Sequence, residues 1–304
     1  MPRWESHRAC HRRVGLLSRV EGVTASRHLD VSRLRSQLLA PVGPYAAIDV
    51  VERTGSTNAD LRAAVAEGAP DRTVLIAEEQ TAGAGRRGRG WVSPSGKGVY
   101  LSVLLRPAEV PMAALGSLAA VAGLALTDVT DALGVDAVLK WPNDVLAGPE
   151  RAKCAGVLAE AVSSDEQAVV LGIGVNVLPL RDSRTGQTVR PGPGGLPATS
   201  LAEQRARTTD RTDVAALLLA ALHERELPWR QARGDLAAAG LLDEYRERCA
   251  TLGQRIRLEV AGAQSRLGTA VDVDPAGALV VDEEGKGRRT VFAADVIHLR
   301  SLPG

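Results

Sequence analysis

The stretch KCAGVLAEAVSSDEQAVVLGIGVNV, Lys153–Val177, decides the fold. It holds two apolar runs, KCAGVLAEAV (153–162) and QAVVLGIGVNV (167–177), with only SSDE between them. A link that short joins antiparallel neighbours, whereas parallel strands need a crossover of a dozen residues or more. The pair therefore predicts a hairpin in an antiparallel or mixed sheet rather than a βαβ repeat. Outward from it, TVLIAEE (73–79), GVYLSVLLRP (98–107) and AVLKW (137–141) read as further strands, the last two stopped by prolines.

Helices fill the intervals. RTGSTNADLRAAVAEGAP (53–70) offers Ser56, Thr57 or Asn58 as an N-cap and Gly68 and Pro70 as stop signals. Pro111 opens an apolar helix running to about Leu133, and Pro228 separates two more, about 211–227 and 228–249. Residues 180–200 are a Pro/Gly-rich loop. From Gly253 onward QRIRLEV, RLGTAVDVD, ALVVDEE and RRTVFAADVIHLR are short alternating strands, a small all-β module. Residues 1–40 show little apolar periodicity beyond a short helix around Val31–Leu39, and are expected to be disordered or loosely ordered. The expected division is thus 1–40, 41–250 and 251–304.

Composition narrows the class. The 304 residues carry a net charge of +1 and are 45% hydrophobic, so no global field recruits nucleic acid or an anionic membrane. The longest apolar run, Met112–Leu126, falls short of the roughly 20 residues that cross a bilayer and reads as a core helix. Three scattered cysteines (Cys10, Cys154, Cys249) form neither a disulfide framework nor a metal spacing, which favours the reducing cytoplasm. Among 37 basic residues only Lys97, Lys140, Lys153 and Lys286 are lysine, so each compact ammonium is informative against the arginine background.

Four segments carry chemistry. TAGAGRRGRGW (81–91) packs four glycines and three arginines into a loop suited to holding an anion through backbone amides and guanidinium groups. It is neither a Walker loop nor a Rossmann turn, since no GK[ST] and no following helix accompany it, and one short copy makes a poor RNA-binding patch. GSTN (55–58) is either plain N-capping or a polar ligand contact. KWPND (140–144) is either turn chemistry or a cluster at a strand exit facing a crevice. GIGVNV (172–177) bares one strand face through Gly172 and Gly174, open to a flat ligand or to a packed helix.

Together, EEQTAGAGRRGRGW, KWPNDV, AKCAGVLAE and GIGVNV, in this order and spacing, resemble the biotin–protein ligases, from about Thr54 to Gly304. The resemblance implies an α+β fold, a mixed/antiparallel sheet flanked by helices of the class II synthetase-like kind shared with lipoate ligases, plus a C-terminal SH3-like β-barrel. It implies ATP-dependent activation of biotin as biotinyl-5′-AMP and transfer to a lysine of a biotin carboxyl carrier domain of an acyl-CoA or pyruvate carboxylase. In family terms Ser56, Thr57, Asn58 and Gln80 contact biotin, and Gly83, Gly85, Arg86 and Arg89 close over carboxylate and phosphate. Trp91 lies on the nucleotide side, and Lys153 stands between the carboxylate and the α-phosphate. Gly156, Gly172 and Gly174 clear the bed of the bicyclic ring. Lys140, Asn143, Asp144 and Asn176 serve ATP and its Mg²⁺, Asp144 with a catalytic share; no protein motif for a resident metal is present.

One departure stands out: family loops carry arginine where this chain has Ala84, which predicts weaker lid ordering. Only about 50 residues precede RTGSTN, without a helix-turn-helix pattern, so DNA binding is not expected. An exposed sheet edge leaves room for a homodimer. A lipoyl or octanoyl transferase of the same fold and a non-catalytic biotin- or nucleotide-binding regulator are the alternatives.

Overall fold

The computed structural model describes residues 28–162, 167–180, 196–259, 264–292 and 295–298. The first 27 residues, the SSDE turn and most of the 180–200 loop lie outside the described residues.

A seven-stranded sheet carries the molecule. Its strands are β1 (Ala47–Thr54), β2 (Thr73–Gln80), β3 (Gly98–Leu105), β4 (Ala137–Lys140), β5 (Asp144–Ala147), β6 (Ala152–Val162) and β7 (Ala168–Asn176). They lie in the order β1-β2-β3-β7-β6-β5-β4, with β1–β2 the parallel pair and the remaining neighbours antiparallel. The hairpin that decided the fold is present as β6–β7, paired from Ala155↔Val175 to Val162↔Ala168. Every residue of β3 is buried, as its unbroken apolar run requires of a central strand.

Two strands escaped the sequence reading. β1 places Asp49, Glu52 and Arg53 outward on the sheet edge, so its apolar signal is diluted by charges that keep an edge from aggregating. β5 is four residues long and sits directly behind the KWPN turn, with Lys140 opposite Asp144.

The short helix expected around Val31–Leu39 is present as α1 (Val31–Leu38), and it belongs to the ordered body rather than to a loose start. Asp30 Oδ1 caps it by accepting from Arg33 N at 2.9 Å, and Leu34 and Leu38 are buried. Leu29 N donates to Glu78 Oε1 at 2.6 Å, and Glu78 in turn pairs with Arg211 at 2.5 Å, both carboxylate and guanidinium 4% exposed. The ordered body thus starts about a dozen residues earlier than expected.

α2 (Thr57–Ala66) covers one face of the sheet, while α3 (Leu118–Ala132) and α4 (Arg211–Gln231) pack on the other. A 3₁₀ segment, Met112–Ser117, runs straight into α3, so the apolar rod spans Met112–Ala132, 21 residues, long and apolar enough to cross a membrane. Most of it is buried against α4 and the sheet, the setting of a core helix.

The expected break at Pro228 is absent. α4 runs through it, although the proline gives up the N–H that would bond four residues back, because only one turn follows and buried groups on either side pin the helix. Trp229 Nε1 donates to Ser117 Oγ at 2.7 Å, and Glu226 binds both Arg72 and Arg230. Turns then occupy 232–241, and α5 is only Leu242–Arg248.

The second sheet comprises β8 (Arg255–Glu259), β9 (Arg266–Val273), β10 (Leu279–Glu283), β11 (Gly287–Val291) and β12 (Asp295–His298), in the order β11-β10-β9-β8-β12. Among the described residues nothing pairs β11 with β12, so this is an open antiparallel sheet rather than the expected closed barrel. Trp141, 2% exposed, bolts it to the first: its Nε1 donates to Gly277 O at 2.9 Å and its N to Thr251 Oγ1 at 3.0 Å.

Candidate active site

Three neighbouring strands put Asp144, Gly156 and Gly174 in one cross-sheet row, continued by Tyr100 on β3. Residues opposite one another share a face, so the two glycines leave a bare strip beside the Asp144 carboxylate. Trp91 lies on that strip. A Cβ built at Gly174 would stand 2.4 Å from its Cε2, and one at Gly156 3.1 Å from its Cζ3. The Lys153 ammonium sits 5.2 Å from the centre of the same ring and 2.5 Å from Asp144 Oδ1. A cation over an indole and beside a carboxylate is held in place by both.

Trp91 ends a folded-down flap. Gly85 N donates to Arg89 O at 2.6 Å and Trp91 N to Gly83 O at 2.8 Å, which makes residues 83–91 a small hairpin. Its tip, Arg86–Gly88, is a 3₁₀ turn with Arg87 in the left-handed region at φ 57°, and Arg87 Nη1 donates to Glu259 O of the second sheet at 2.8 Å. Arg86 and Arg89 stand at the two ends of this turn. Ala84 pairs across the hairpin with Gly90 and is exposed.

The second half of the site surrounds the start of α2. Ser56 caps it, its side chain accepting from Ala59 N. Thr57 N donates to Gln80 Oε1 at 2.9 Å, and Gln80 Nε2 donates to Ser93 Oγ at 3.0 Å. Thr57 Oγ1 and Asn58 Oδ1 meet the hydroxyl of Ser102 at 2.7 and 2.5 Å. Gly83 joins the two halves, since a Cβ there would lie 2.5 Å from Trp91 O and 3.3 Å from Gln80 Nε2.

The glycines expected to share one ligand bed have different neighbours. Gly156 and Gly174 meet Trp91, while a Cβ at Gly172 would lie 2.2 Å from Asn58 Oδ1. Trp91 therefore rests on the glycine bed itself. Lys140 is also displaced from its expected place: its buried ammonium donates to Val296 O of β12 at 2.7 Å, so it ties the two sheets together. Asn143 Nδ2 is engaged by Val157 O at 2.6 Å and pins the β4–β5 turn onto β6.

Asn176 ends β7, its Nδ2 donating to Thr199 O at 3.0 Å. Residues 197–199 run beside Lys153, with Lys153 N donating to Pro197 O and Thr199 N to Lys153 O. Two buried polar atoms here, Trp91 Nε1 and Asn176 Oδ1, have no hydrogen bond, while Asp144 Oδ1 is taken by the Lys153 ammonium. Buried polar atoms without a partner call for an explanation, and a bound ligand or ion is one. Beside them Cys154 is no nucleophile, because burial pushes its thiol up to about 12. Among the described residues no group of three or more His, Cys, Asp or Glu could hold a metal.

Sequence reasoning missed Ser93, Ser102 and Glu160, which hold Gln80, Thr57 and Asn58. Ser102 had a visible signal, a lone hydroxyl inside the otherwise apolar YLSVLL; Glu160 had none.

The chain is similar to known proteins. The pattern of the Biotin/lipoate A/B protein ligase family matches residues 50–176, and that of the Biotin protein ligase C terminal domain matches 251–299. The chain is 43% identical over 277 residues to a biotin–[acetyl-CoA-carboxylase] ligase of Mycobacterium tuberculosis, covering 90% of this chain and 96% of that one. It is 34% identical over 252 residues to the ligase of the same description from Paracoccus denitrificans, covering 81% and 98%. Among solved structures, a biotin protein ligase from Aquifex aeolicus in complex with biotin and ATP superposes with a TM-score of 0.66 at 26% identity, over 84% of this chain and 100% of that one.

Proposed function

The chain belongs to the biotin protein ligase family, and from that premise we propose that it joins biotin to a lysine of a biotin carboxyl carrier domain at the expense of ATP. The observation that carries this reading is the Lys153 ammonium, set between the Asp144 carboxylate and the Trp91 ring above a strip of bare glycine.

Such a site needs no enzyme nucleophile. A biotin carboxylate oxygen attacks the α-phosphorus of ATP; the bond to the bridging oxygen breaks and pyrophosphate leaves, giving biotinyl-5′-AMP. Two anions must approach each other, so the main task is charge neutralisation at a fixed place. Lys153 serves the junction, because a compact ammonium reaches oxygens of both partners. Arg86 and Arg89, on the flap, bring guanidinium groups to the same side. In the second step the carrier lysine amine attacks the acyl carbon, its proton is lost and AMP departs. The flap shields the mixed anhydride from water between the steps.

Mg²⁺ would find an open oxygen in Asn176 Oδ1, a buried acceptor without a hydrogen bond, and a carboxylate in Asp144 beside Lys153. One or two protein oxygens completed by phosphates is this ion's habit, and bound there it supplies further neutralisation of phosphate charge. Biotin is assigned to the Ser56, Thr57 and Gln80 end, where neutral polar groups converge. The carrier is assigned to an acyl-CoA or pyruvate carboxylase in the cytoplasm, and a second copy is assigned to the β1 edge, where Arg35 Nε already bonds to Ile48 O at 2.7 Å.

Incubation of the full chain with biotin, MgATP and candidate carrier domains, read by intact mass, tests this. One added biotinyl group with AMP release is expected. Modification only when lipoate or octanoate replaces biotin would establish the sister chemistry, and binding without pyrophosphate release would make the chain a regulator.

A further inference from the structure

We propose that Ser102 and Glu160 are specificity-determining positioning residues: a one-way hydrogen-bond relay, Thr57–Ser102–Asn58–Glu160, leaves the Thr57 hydroxyl able only to accept, the complement of a cyclic urea N–H. The inference rests on the biotin reading above and adds the groups that enforce it.

The proton directions follow from chemistry and four distances. Asn58 Nδ2 donates to Glu160 Oε2 at 2.7 Å, which turns Asn58 Oδ1 toward Ser102. An amide oxygen has no proton, so in the 2.5 Å contact Ser102 is the donor. A hydroxyl has one proton to give, so the 2.7 Å contact between Ser102 and Thr57 must carry the proton of Thr57. Thr57 Oγ1 is then left with lone pairs alone, and its 3.1 Å approach to Gln80 Oε1 carries no proton. Its backbone N–H meanwhile fixes Gln80 the other way round: Oε1 accepts from Thr57 N at 2.9 Å, Nε2 gives one proton to Ser93, and the second proton of Nε2 remains for a ligand.

The direction is enforced at its far end. Glu160 is the one member that only accepts, and Arg62 holds it from the outer side at 3.1 Å. Ser102 is 0% exposed, Thr57 3% and Asn58 5%, so no water substitutes for a reversed member and reversal strands buried polar atoms. Gly172 belongs to the device as well, because any side chain there would expel the Asn58 amide from its place at 2.2 Å.

The test measures pyrophosphate release by the full chain under saturating MgATP, titrated with biotin and with biotin methylated on a ring nitrogen. Ser102→Ala should raise KM for biotin about tenfold, leave kcat and the KM for ATP within about twofold, and narrow the preference for biotin over the methylated analogue. Asn58→Asp sets two carboxylates against each other and should raise the same KM. Asn58→Asp with Glu160→Gln restores a donor–acceptor pair, its own direction reversed but with position 58 still accepting from Ser102, and should bring KM back to within about threefold of wild type. A Ser102→Ala KM within twofold of wild type would overturn the relay, as would a parallel loss in kcat and both KM values, which a merely structural serine would give. Should Ser102→Ala not fold, the Asn58→Asp variant and its swapped partner decide alone, and absence of rescue overturns the proposal. A wild-type chain inert toward biotin but active with another acid sinks the biotin reading and the relay together, whereas active wild type without the KM changes sinks only the relay.

Discussion

The floor and the flap of this site are held in opposite ways. The floor lies on β6 and β7, inner strands bonded on both sides around Gly156 and Gly174, and Lys153 is gripped by an ion pair and by backbone bonds to Pro197 and Thr199. The flap is a nine-residue hairpin with a left-handed arginine at its tip and a link to the second sheet through Arg87. A fixed floor suits the group that must meet the reacting phosphorus in one geometry, and a lightly tethered flap suits a cover that must open between turnovers.

The sharpest way to break the comparison is to empty the floor. Lys153→Ala should lower the single-turnover rate of adenylation by two to three orders of magnitude, about the cost of removing one preorganised charge contact, while thermal unfolding stays cooperative. A rate within about twofold, worth roughly 0.4 kcal/mol, would remove Lys153 from the chemistry. Gly174→Ala comes next. The added methyl meets Trp91 at 2.4 Å with a paired strand behind it, so the indole must move; we expect destabilisation of about 1–3 kcal/mol and red-shifted tryptophan emission from the expelled ring.

The flap should respond more gently. Ala84→Arg adds a guanidinium to the flap at an exposed position and should lengthen retention of biotinyl-5′-AMP a few-fold in a hydrolysis assay without changing the melting temperature. No gain in retention would mean that the neighbouring arginines already saturate the lid. The smallest effect concerns the joint between the sheets. His298, bonded to Thr251 and near Lys140, is lowered to about 4, chiefly by burial and then by that ammonium. A depressed folded value means that the neutral ring favours the fold. Its contribution is present above about 6.5 and is lost as pH falls toward 4. The melting temperature of wild type should therefore fall more steeply across that window than that of His298→Asn.

Legibility in the sequence followed the range of the forces involved. The β6–β7 hairpin, the core strand β3 and the N-cap at Ser56 depend on neighbours in the chain, and period, turn length and cap chemistry revealed them. What stayed hidden depends on distant partners. Pro228 looked like a helix end until Ser117 and Arg72 fixed its neighbours, and Lys140 looked like a nucleotide ligand until β12 came within reach. Gly172 and Gly174 read as one surface, yet segments more than eighty residues upstream deliver Asn58 to one and Trp91 to the other. Local pattern identified the glycines but not their visitors.

The KWPND motif faces two ways. Lys140 and Trp141 spend buried donors on residues beyond position 250, while Asp144, three residues after the tryptophan, meets Lys153. Shaving off the C-terminal sheet would not yield a shorter working ligase: it would strand an ammonium, an indole N–H and a main-chain amide at the root of the very turn that aims the carboxylate. Alignment of the chemistry thus depends on a sheet other than the one that carries the glycine strip.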